Sequence, residues 1–171
     1  RMASSVITTE TKNSRGELVA ETEWQILYRF DGGFGGPPPP RTARIRVPER
    51  DADFRIEETT SPEQALLYRL SGDWNPLHAD PAIGEAAGFG GPILHGLCTY
   101  GYVGRAVLGA VCGGDISRFR SLSGQFRKPV WPGETLITEG WVDGSQVFLR
   151  VATRERPTEY VFSNAVAEVS E

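Results

Sequence analysis

The stretch YRLSGDWNPLH, residues 68–78, restricts the possible fold and chemistry of this chain more than any other part of it. It places a carboxylate, Asp73, and an imidazole, His78, near the two ends of one short loop. The loop is not helical, because Pro76 forces Asn75 out of the helical region of backbone space. A proline-stiffened loop can direct both side chains into one cleft, where an Asp/His pair can hold a water molecule for general acid–base catalysis.

Three other interpretations of these residues stay open at this level. Asp73 and its neighbours can be turn residues that bond their own backbone, with His78 as a satisfied core residue. A metal site could be built from His78, His95 and Asp73 or Asp80, although the spacing matches no paired-ligand zinc motif. A Cys–His nucleophile at Cys98 is less favoured still, since Cys98 lies within an apolar helical pattern. We therefore expect no metal ion in this chain.

Two short helices are predicted on either side of the loop. Ser61 as a cap, with Gln64 three residues later, forms a capping box that predicts a helix up to about Leu70. Asp80 is the predicted cap of a second helix, which runs to Gly88. The loop is therefore expected to be held at both ends by regular structure.

A long helix and a sheet are predicted for the rest of the chain. Apolar residues and glycines recur at helical spacing over residues 93–111, which predicts a buried central helix with a sheet or another helix packed closely on its glycines. Alternating patterns separated by turn residues predict strands at residues 119–130, 135–142, 146–153 and 160–169. The expected fold class is α+β, a long central helix wrapped by an antiparallel β-sheet.

The start of the chain has a different organisation. Residues 6–30 alternate around the turn-forming NSRG at 13–16, which predicts a β-hairpin. A lone hairpin is not stable in water, and the glycine- and proline-rich stretch after it is typical of a linker. We therefore expect the hairpin to end a preceding domain or to complete a partner's sheet. The predicted division is 1–36 for these trailing strands, 37–46 for a Pro-rich linker and 47–171 for the catalytic domain.

Composition excludes several classes of protein. The chain has 171 residues, 39% hydrophobic and 23% charged, as expected for one globular domain or a domain plus a fragment. Its apolar runs are shorter than the roughly 18 residues that span a bilayer, and residues 1–10 lack the apolar stretch expected of a signal peptide. A net charge of −4 argues against nucleic-acid binding, and two separate cysteines argue against a disulfide scaffold. We expect a cytoplasmic protein with no nucleic-acid or membrane partner.

Residues 68–78 resemble the hydratase 2 motif of the MaoC-like hot-dog family. The resemblance continues in GF at 88–89, PILHGLCT at 92–99, FRKPVWPG at 126–133 and SNA at 163–165. It covers the chain from about Arg46 to the C-terminus. It implies a hot-dog fold, preceded by the trailing strands of a second hot-dog repeat, most of which is absent from this chain.

The resemblance also implies an activity. Such proteins are R-specific 2-enoyl-CoA hydratases, which add water to trans-2-enoyl-CoA to give (3R)-3-hydroxyacyl-CoA without a metal or redox cofactor. The catalytic Asp and His of the family fall on Asp73 and His78, while Asn75 orients the loop and the backbone N–H of Gly96 meets the thioester oxygen. Addition at C3 puts negative charge on that oxygen, where a donor at the start of the central helix stabilises it.

Substrate and partner contacts follow from the same resemblance. The acyl-CoA thioester is the substrate, so CoA enters as part of it, and its phosphates need cations. Arg69, Arg127 and Lys128 are the expected CoA-binding residues. Hot-dog helices pair across an interface, so a homodimer or pairing with another hot-dog repeat is expected.

Alternative functions remain compatible with the fold. Hot-dog proteins include acyl thioesterases and hydroxyacyl-carrier-protein dehydratases, and fold alone does not decide between them. A non-catalytic module for acyl-CoA binding or oligomerisation is a further alternative, which the intact Asp73 and His78 disfavour.

Overall fold

The structure is a computed structural model that describes residues 2–28, 30–37 and 44–170. The chain divides into two compact units, N-terminal and C-terminal, between residues 42 and 43. This division falls within the predicted linker 37–46, of which residues 38–43 lie outside the described residues. The domain boundaries inferred from the sequence stay a prediction.

The N-terminal unit is the predicted β-hairpin. Strand β1 (Ala3–Lys12) pairs antiparallel with β2 (Leu18–Tyr28). The turn is fixed by Asn13, whose Oδ1 accepts the backbone N–H groups of Arg15 at 2.9 Å and Glu17 at 3.0 Å. The assignment of this hairpin to an upstream repeat stays a prediction.

The C-terminal unit is a five-stranded antiparallel sheet with three α-helices, which confirms the predicted α+β class. The sheet order is β3-β5-β6-β7-β4, so that β3 and β4 lie at its edges. The strands are β3 (Phe54–Thr59), β4 (Phe119–Phe126), β5 (Thr135–Asp143), β6 (Gln146–Thr153) and β7 (Arg156–Val169). The helices are α1 (Gln64–Arg69), α2 (Pro81–Ala86) and α3 (Gly96–Ala110), with short 3₁₀ turns at Pro76–His78 and Ile116–Arg118. Within the described residues, no helix is both long and apolar enough to cross a membrane.

The two predicted helix caps have different outcomes. The cap of α2 is confirmed, because Asp80 Oδ1 accepts the N–H of Ala82 at 2.9 Å. The capping box of α1 is wrong, because Ser61 Oγ is bonded to Glu63 instead and α1 begins only at Gln64. The Gln64 side chain accepts a hydrogen bond from the Tyr102 hydroxyl at 2.9 Å. A tertiary contact with α3 has therefore displaced the local one.

Helix α3 packs on one face of the sheet and forms the core with it. Val103 and Val107 of α3 and Val147 and Val151 of β6 are all fully buried. Each such side chain contributes about 1.5–3 kcal/mol through removal of apolar surface from water. This packing holds the N-terminal end of α3 in a fixed position relative to the sheet.

The prediction that α3 is a buried central helix, with a sheet or another helix packed closely on its glycines, is only partly right. A Cβ on Gly96 would lie 3.2 Å from the Phe126 ring, so that approach is close. Gly101 and Gly109 are exposed, and a Cβ there would meet no atom of the described residues within 4 Å. Leu97 on the same helix is 58% exposed. The prediction is therefore wrong for this outward side of α3.

Asp53 ties the segment before β3 to strand β5. Its carboxylate receives two hydrogen bonds from Arg50, at 2.6 and 2.8 Å, and one from the backbone N–H of Val142 at 2.6 Å. These interactions, the Arg50 hydrogen bond first, lower the pKa of Asp53 from 3.8 to about 2. The ionised form is therefore favoured in the folded state.

The lowered pKa of Asp53 predicts a pH effect on stability. The stabilisation is present above pH 3.8 and is lost as the pH falls toward 2, because the unfolded chain then binds the proton more readily. We expect Asp53→Asn to flatten the loss of unfolding free energy between about pH 4 and 2, measured by urea titration at several pH values. Asp51→Asn, a nearby exposed carboxylate, is the control and should follow the wild type. Equal pH slopes in Asp53→Asn and wild type would contradict the assignment.

Candidate active site

The loop before the 3₁₀ turn is shaped by its own side chains. Asp73 Oδ1 accepts the N–H of Asn75 at 3.2 Å, and Asn75 Oδ1 accepts the N–H of Leu77 at 3.0 Å. Gly72 adopts φ 115°, which a residue with a side chain rarely adopts. Asp73 and Asn75 therefore bond their own backbone, and Asp73 is exposed with Oδ2 free of hydrogen bonds to the described residues.

His78 is buried at the end of this loop with one ring nitrogen committed. Its Nδ1 lies 2.7 Å from the carbonyl oxygen of Ile93. Because a carbonyl oxygen only accepts, Nδ1 carries the proton, and in the neutral ring Nε2 keeps its lone pair. Nε2 makes no hydrogen bond to the described residues. His78 is therefore oriented with its basic nitrogen available to a bound molecule.

His95, which its sequence pattern indicated only as a possible metal ligand, completes the cluster. It is 2% exposed, and its ring stacks on His78 with centroids 3.7 Å apart and an interplanar angle of 24°. Its Nε2 donates to the backbone carbonyl of Asp73 at 3.3 Å, and Tyr68 packs on it at 4.7 Å between ring centroids. The signal for His95 was present in the sequence, since the two histidines of the chain, His78 and His95, lie on either side of the segment that joins this loop to the central helix.

The geometry argues against a shared metal ion, although ligand atoms of Asp73, His78 and His95 lie within 4.8 Å of one another. A histidine lone pair lies in the plane of its ring. The rings of His78 and His95 are close to parallel and 3.7 Å apart, so their lone pairs do not converge on one point. The absence of a metal stays a prediction.

Burial of His95 predicts a second pH effect. Loss of hydration lowers the pKa of His95 from 6.5, against the opposing effect of the Asp73 carbonyl. Below pH 6.5 the unfolded chain therefore binds more protons than the folded chain, and the free energy of unfolding falls as the pH falls. We expect His95→Gln to reduce this slope between about pH 6.5 and 5, measured by denaturant unfolding. A variant that retains the full slope would show that another group titrates.

Gly96 places backbone donors beside the cluster. It is the first residue of α3, and His95 before it makes no side-chain cap. Among the described residues, no acceptor contacts the N–H groups of Gly96 and Leu97. Free N–H groups at a helix start carry the positive end of the helix dipole. The site therefore combines a carboxylate, an oriented imidazole and unused donors for a developing negative charge.

A cavity of about 310 Å³ opens beside His78. One wall is Trp131, whose indole N–H donates to the Phe89 carbonyl at 3.1 Å. Arg156 lies over this ring at 4.6 Å and is held by Glu134 at 2.8 Å. The cavity is lined by Pro62, Leu66, His78, Ala79, Gly91, Pro92, Trp131 and Pro132. This lining is mostly apolar, and it suits an apolar group placed next to the imidazole.

Comparison with known proteins identifies the family. Residues 44–161 match the model of the MaoC like domain. The chain belongs to this family. It is similar to peroxisomal multifunctional enzyme type 2 of Mus musculus, with 43% identity over 158 residues, covering 90% of this chain and 21% of that protein. It is similar to peroxisomal enoyl-CoA hydratase 2 of Arabidopsis thaliana, with 40% identity over 165 residues, covering 90% of this chain and 53% of that protein.

A solved structure supports the fold assignment. The MaoC-like dehydratase of Phytophthora capsici superposes with a TM-score of 0.84 at 37% identity, covering 97% of this chain and 58% of that one. This similarity confirms the predicted MaoC-like hot-dog fold. The chain spans about half or less of the length of the two curated relatives described above. The activity of a whole relative is therefore not transferred to it directly.

The three residues predicted to bind CoA do not lie together at the candidate active site. Arg69 donates to the carbonyl of Trp74 at 3.2 Å and lies over its ring, so it braces the Asp73 loop. Arg127 donates to Ser163 Oγ at 3.3 Å in a separate groove. Lys128 is exposed and makes no ion pair with the described residues. A role for each in CoA binding stays a prediction.

Proposed function

We propose that this chain is the catalytic part of an R-specific 2-enoyl-CoA hydratase that converts trans-2-enoyl-CoA to (3R)-3-hydroxyacyl-CoA. The observation that carries the proposal is the cluster of Asp73 and oriented His78 beside the unused donors of Gly96. The relatives support it, since one at 40% identity is named enoyl-CoA hydratase 2. The R configuration rests on the family resemblance alone.

The reaction follows from the positions of these groups. A water molecule held between the Asp73 carboxylate and His78 Nε2 loses a proton to the pair as its oxygen bonds to C3 of the enoyl group. The C2–C3 double bond opens, and negative charge develops on the thioester oxygen, where the N–H of Gly96 donates to it. The pair then delivers the proton taken from water to C2, which gives the 3-hydroxyacyl thioester. Water is the sole co-reactant.

The same proposal includes the absence of a cofactor and a cytoplasmic location. Each step uses only water and groups of the chain itself, and CoA enters as part of the substrate. Two relatives carry the word peroxisomal in their names, so cell fractionation of the source organism is the test of location.

We also propose that the chain works paired, as a homodimer or with another hot-dog repeat. Strand β4 lies at an edge of the sheet, and Phe126 on it is 50% exposed. Leu97 on the neighbouring helix is 58% exposed. An open strand beside exposed apolar side chains favours a partner that covers both. Light scattering behind size exclusion gives the mass that decides between one chain and two.

Dehydration of a hydroxyacyl thioester is the second candidate, favoured by the similarity to a MaoC-like dehydratase. It is the reverse reaction, so the same groups would act on a different carrier. Thioester hydrolysis would instead require water attack at the carbonyl carbon. A non-catalytic acyl-CoA-binding module would leave His78 Nε2 without a use.

The test is loss of the enoyl-thioester absorbance when the full chain is mixed with crotonyl-CoA and with a longer trans-2-enoyl-CoA. Chiral analysis of the product follows, and a thiol reagent measures free CoA. Conversion to the 3R alcohol without CoA release supports hydration. Release of CoA would assign a thioesterase, and no reaction of a folded chain with CoA or carrier-protein thioesters would favour the binding module.

A further inference from the structure

His95 contacts the other parts of the candidate site, although the proposed reaction uses neither of its ring nitrogens. Its Nε2 donates to the backbone carbonyl of Asp73 at 3.3 Å, its ring stacks on His78, and Gly96 follows it directly in the chain. Its Nδ1 is buried and makes no hydrogen bond to the described residues. A general acid or base must reach the proton that it transfers, so we assign neither role to His95.

The His95 side chain is held in place by its neighbours. The ring of His78 packs on it with centroids 3.7 Å apart, and the ring of Tyr68 packs on it with centroids 4.7 Å apart. The side chain is only 2% exposed. A buried ring packed against two others has few alternative rotamers, so the Nε2–H of His95 is kept in one direction.

The hydrogen bonds of the two histidines require different tautomers. The carbonyl of Asp73 only accepts, so Nε2 of His95 carries a proton. A second proton on its Nδ1 would be buried without an acceptor among the described residues, which is unfavourable. His78 has the opposite arrangement, with its proton on Nδ1 facing the carbonyl of Ile93. This difference between the two stacked rings can be measured.

The loop that carries Asp73 is anchored through the carbonyls of two successive residues. His95 holds the carbonyl of Asp73, and Arg69 holds that of Trp74 at 3.2 Å. Among the described residues, the Asp73 carboxylate itself has one hydrogen bond, accepted from the N–H of Asn75 within the same loop. The place of this carboxylate in the site therefore depends on the backbone of the loop, which His95 holds at Asp73 itself.

We propose that His95 is a positioning residue, whose Nε2–H holds the backbone of Asp73 so that the Asp73 carboxylate stays beside the His78 imidazole. The inference rests on the proposed hydration, in which these two groups share one water molecule. A displacement of about 1 Å in a reacting geometry can lower a rate by roughly 10²-fold. One hydrogen bond to a loop carbonyl can therefore control the rate without touching the substrate.

Two variants of His95 separate the hydrogen bond from the ring. His95→Phe keeps an aromatic ring beside His78 and loses the donor, whereas His95→Gln has an amide N–H as many bonds from Cα as Nε2 is. We expect His95→Phe to lower kcat for crotonyl-CoA by roughly 10- to 100-fold with little change in KM, and His95→Gln to recover most of that loss. A wild-type kcat in His95→Phe, or equal kcat values in the two variants, would overturn the proposal.

A double-variant cycle distinguishes positioning of Asp73 from general loosening of the fold. His95→Phe is also introduced into Asp73→Asn, in which the carboxylate to be positioned is already absent. We expect a much smaller fold-loss of kcat there than in the wild-type background, because both changes act on one group. The same fold-loss in both backgrounds would assign His95 to the fold alone and overturn the positioning role.

Histidine NMR tests the contact without turnover. The chain has two histidines, so nitrogen-15 labelling of histidine gives ring signals from two residues, and His95→Phe shows which belong to His95. At neutral pH we expect His78 to carry its proton on Nδ1 and His95 on Nε2. A His95 ring protonated on Nδ1 alone would overturn the proposal whether or not the chain hydrates crotonyl-CoA. Absent turnover in a wild-type chain with the expected tautomers would count against the proposed hydration instead.

Discussion

Asp73→Asn and His78→Ala are each expected to lower kcat for hydration of crotonyl-CoA by roughly 10²–10⁴-fold, the usual contribution of a general acid–base group. The asparagine side chain keeps an oxygen that can accept the Asn75 N–H, so we expect the loop to be retained. It lacks the negative charge with which the Asp73 carboxylate would hold the reacting water. Alanine removes the oriented Nε2 of His78. Initial rates of absorbance loss, with the 3R product measured, give the effect.

Two controls separate chemistry from folding in this experiment. Asp51→Asn removes an exposed carboxylate outside the site and is expected to keep wild-type rates. Circular dichroism checks that His78→Ala, which also loses the stacking on His95, remains folded. Near-normal turnover in either active-site variant would sink the assignment of Asp73 and His78.

The second large effect is expected from removing the donor at the start of α3. Gly96→Pro eliminates the backbone N–H, and we expect a loss of roughly 10²–10³ in kcat, as for an oxyanion donor. Proline suits the first position of a helix. The preceding residue, His95, already has φ −60° and ψ 137°, which a following proline allows. The backbone is therefore compatible with the change.

Gly96→Ala is the matched control for the proline variant. Both variants bring a Cβ to 3.2 Å from the Phe126 ring, but only proline removes the donor. The ratio of their kcat values therefore isolates the hydrogen bond. Equal rates in the two variants would mean that the N–H of Gly96 does not stabilise the transition state.

Local chemistry explains which parts were predictable from the sequence. The Asp80 cap, the Asn13 turn and the loop at Pro76 depend on residues next to one another, and the structure has all three. Strand β3 was not predicted, since it has six residues, of which Phe54 and Ile56 are the apolar ones. It is held by antiparallel pairing with β5, about 80 positions further along the chain.

The part of the candidate site that could be predicted is the part whose residues are close together in the sequence. Asp73 and His78 were found because they share one loop. His95 was grouped with them only as a possible metal ligand, because its stacking on His78 depends on the path of the chain between residues 78 and 95. Arg69 was assigned to CoA from its charge, whereas its contact with the Trp74 carbonyl depends on how α1 meets the loop.

The sheet order has a consequence for the time at which the site forms. Strand β7 lies between β6 and β4, so β4 has no neighbour in this sheet until the last strand has been synthesised. Phe126 of β4, the wall beside Gly96, rests on Phe162 of β7, with ring centroids 5.3 Å apart. At roughly 5–20 residues per second on the ribosome, the catalytic loop leaves the tunnel seconds before its support exists. We expect nascent chains that end before β7 to be inactive and dependent on chaperones, however early their catalytic residues were made.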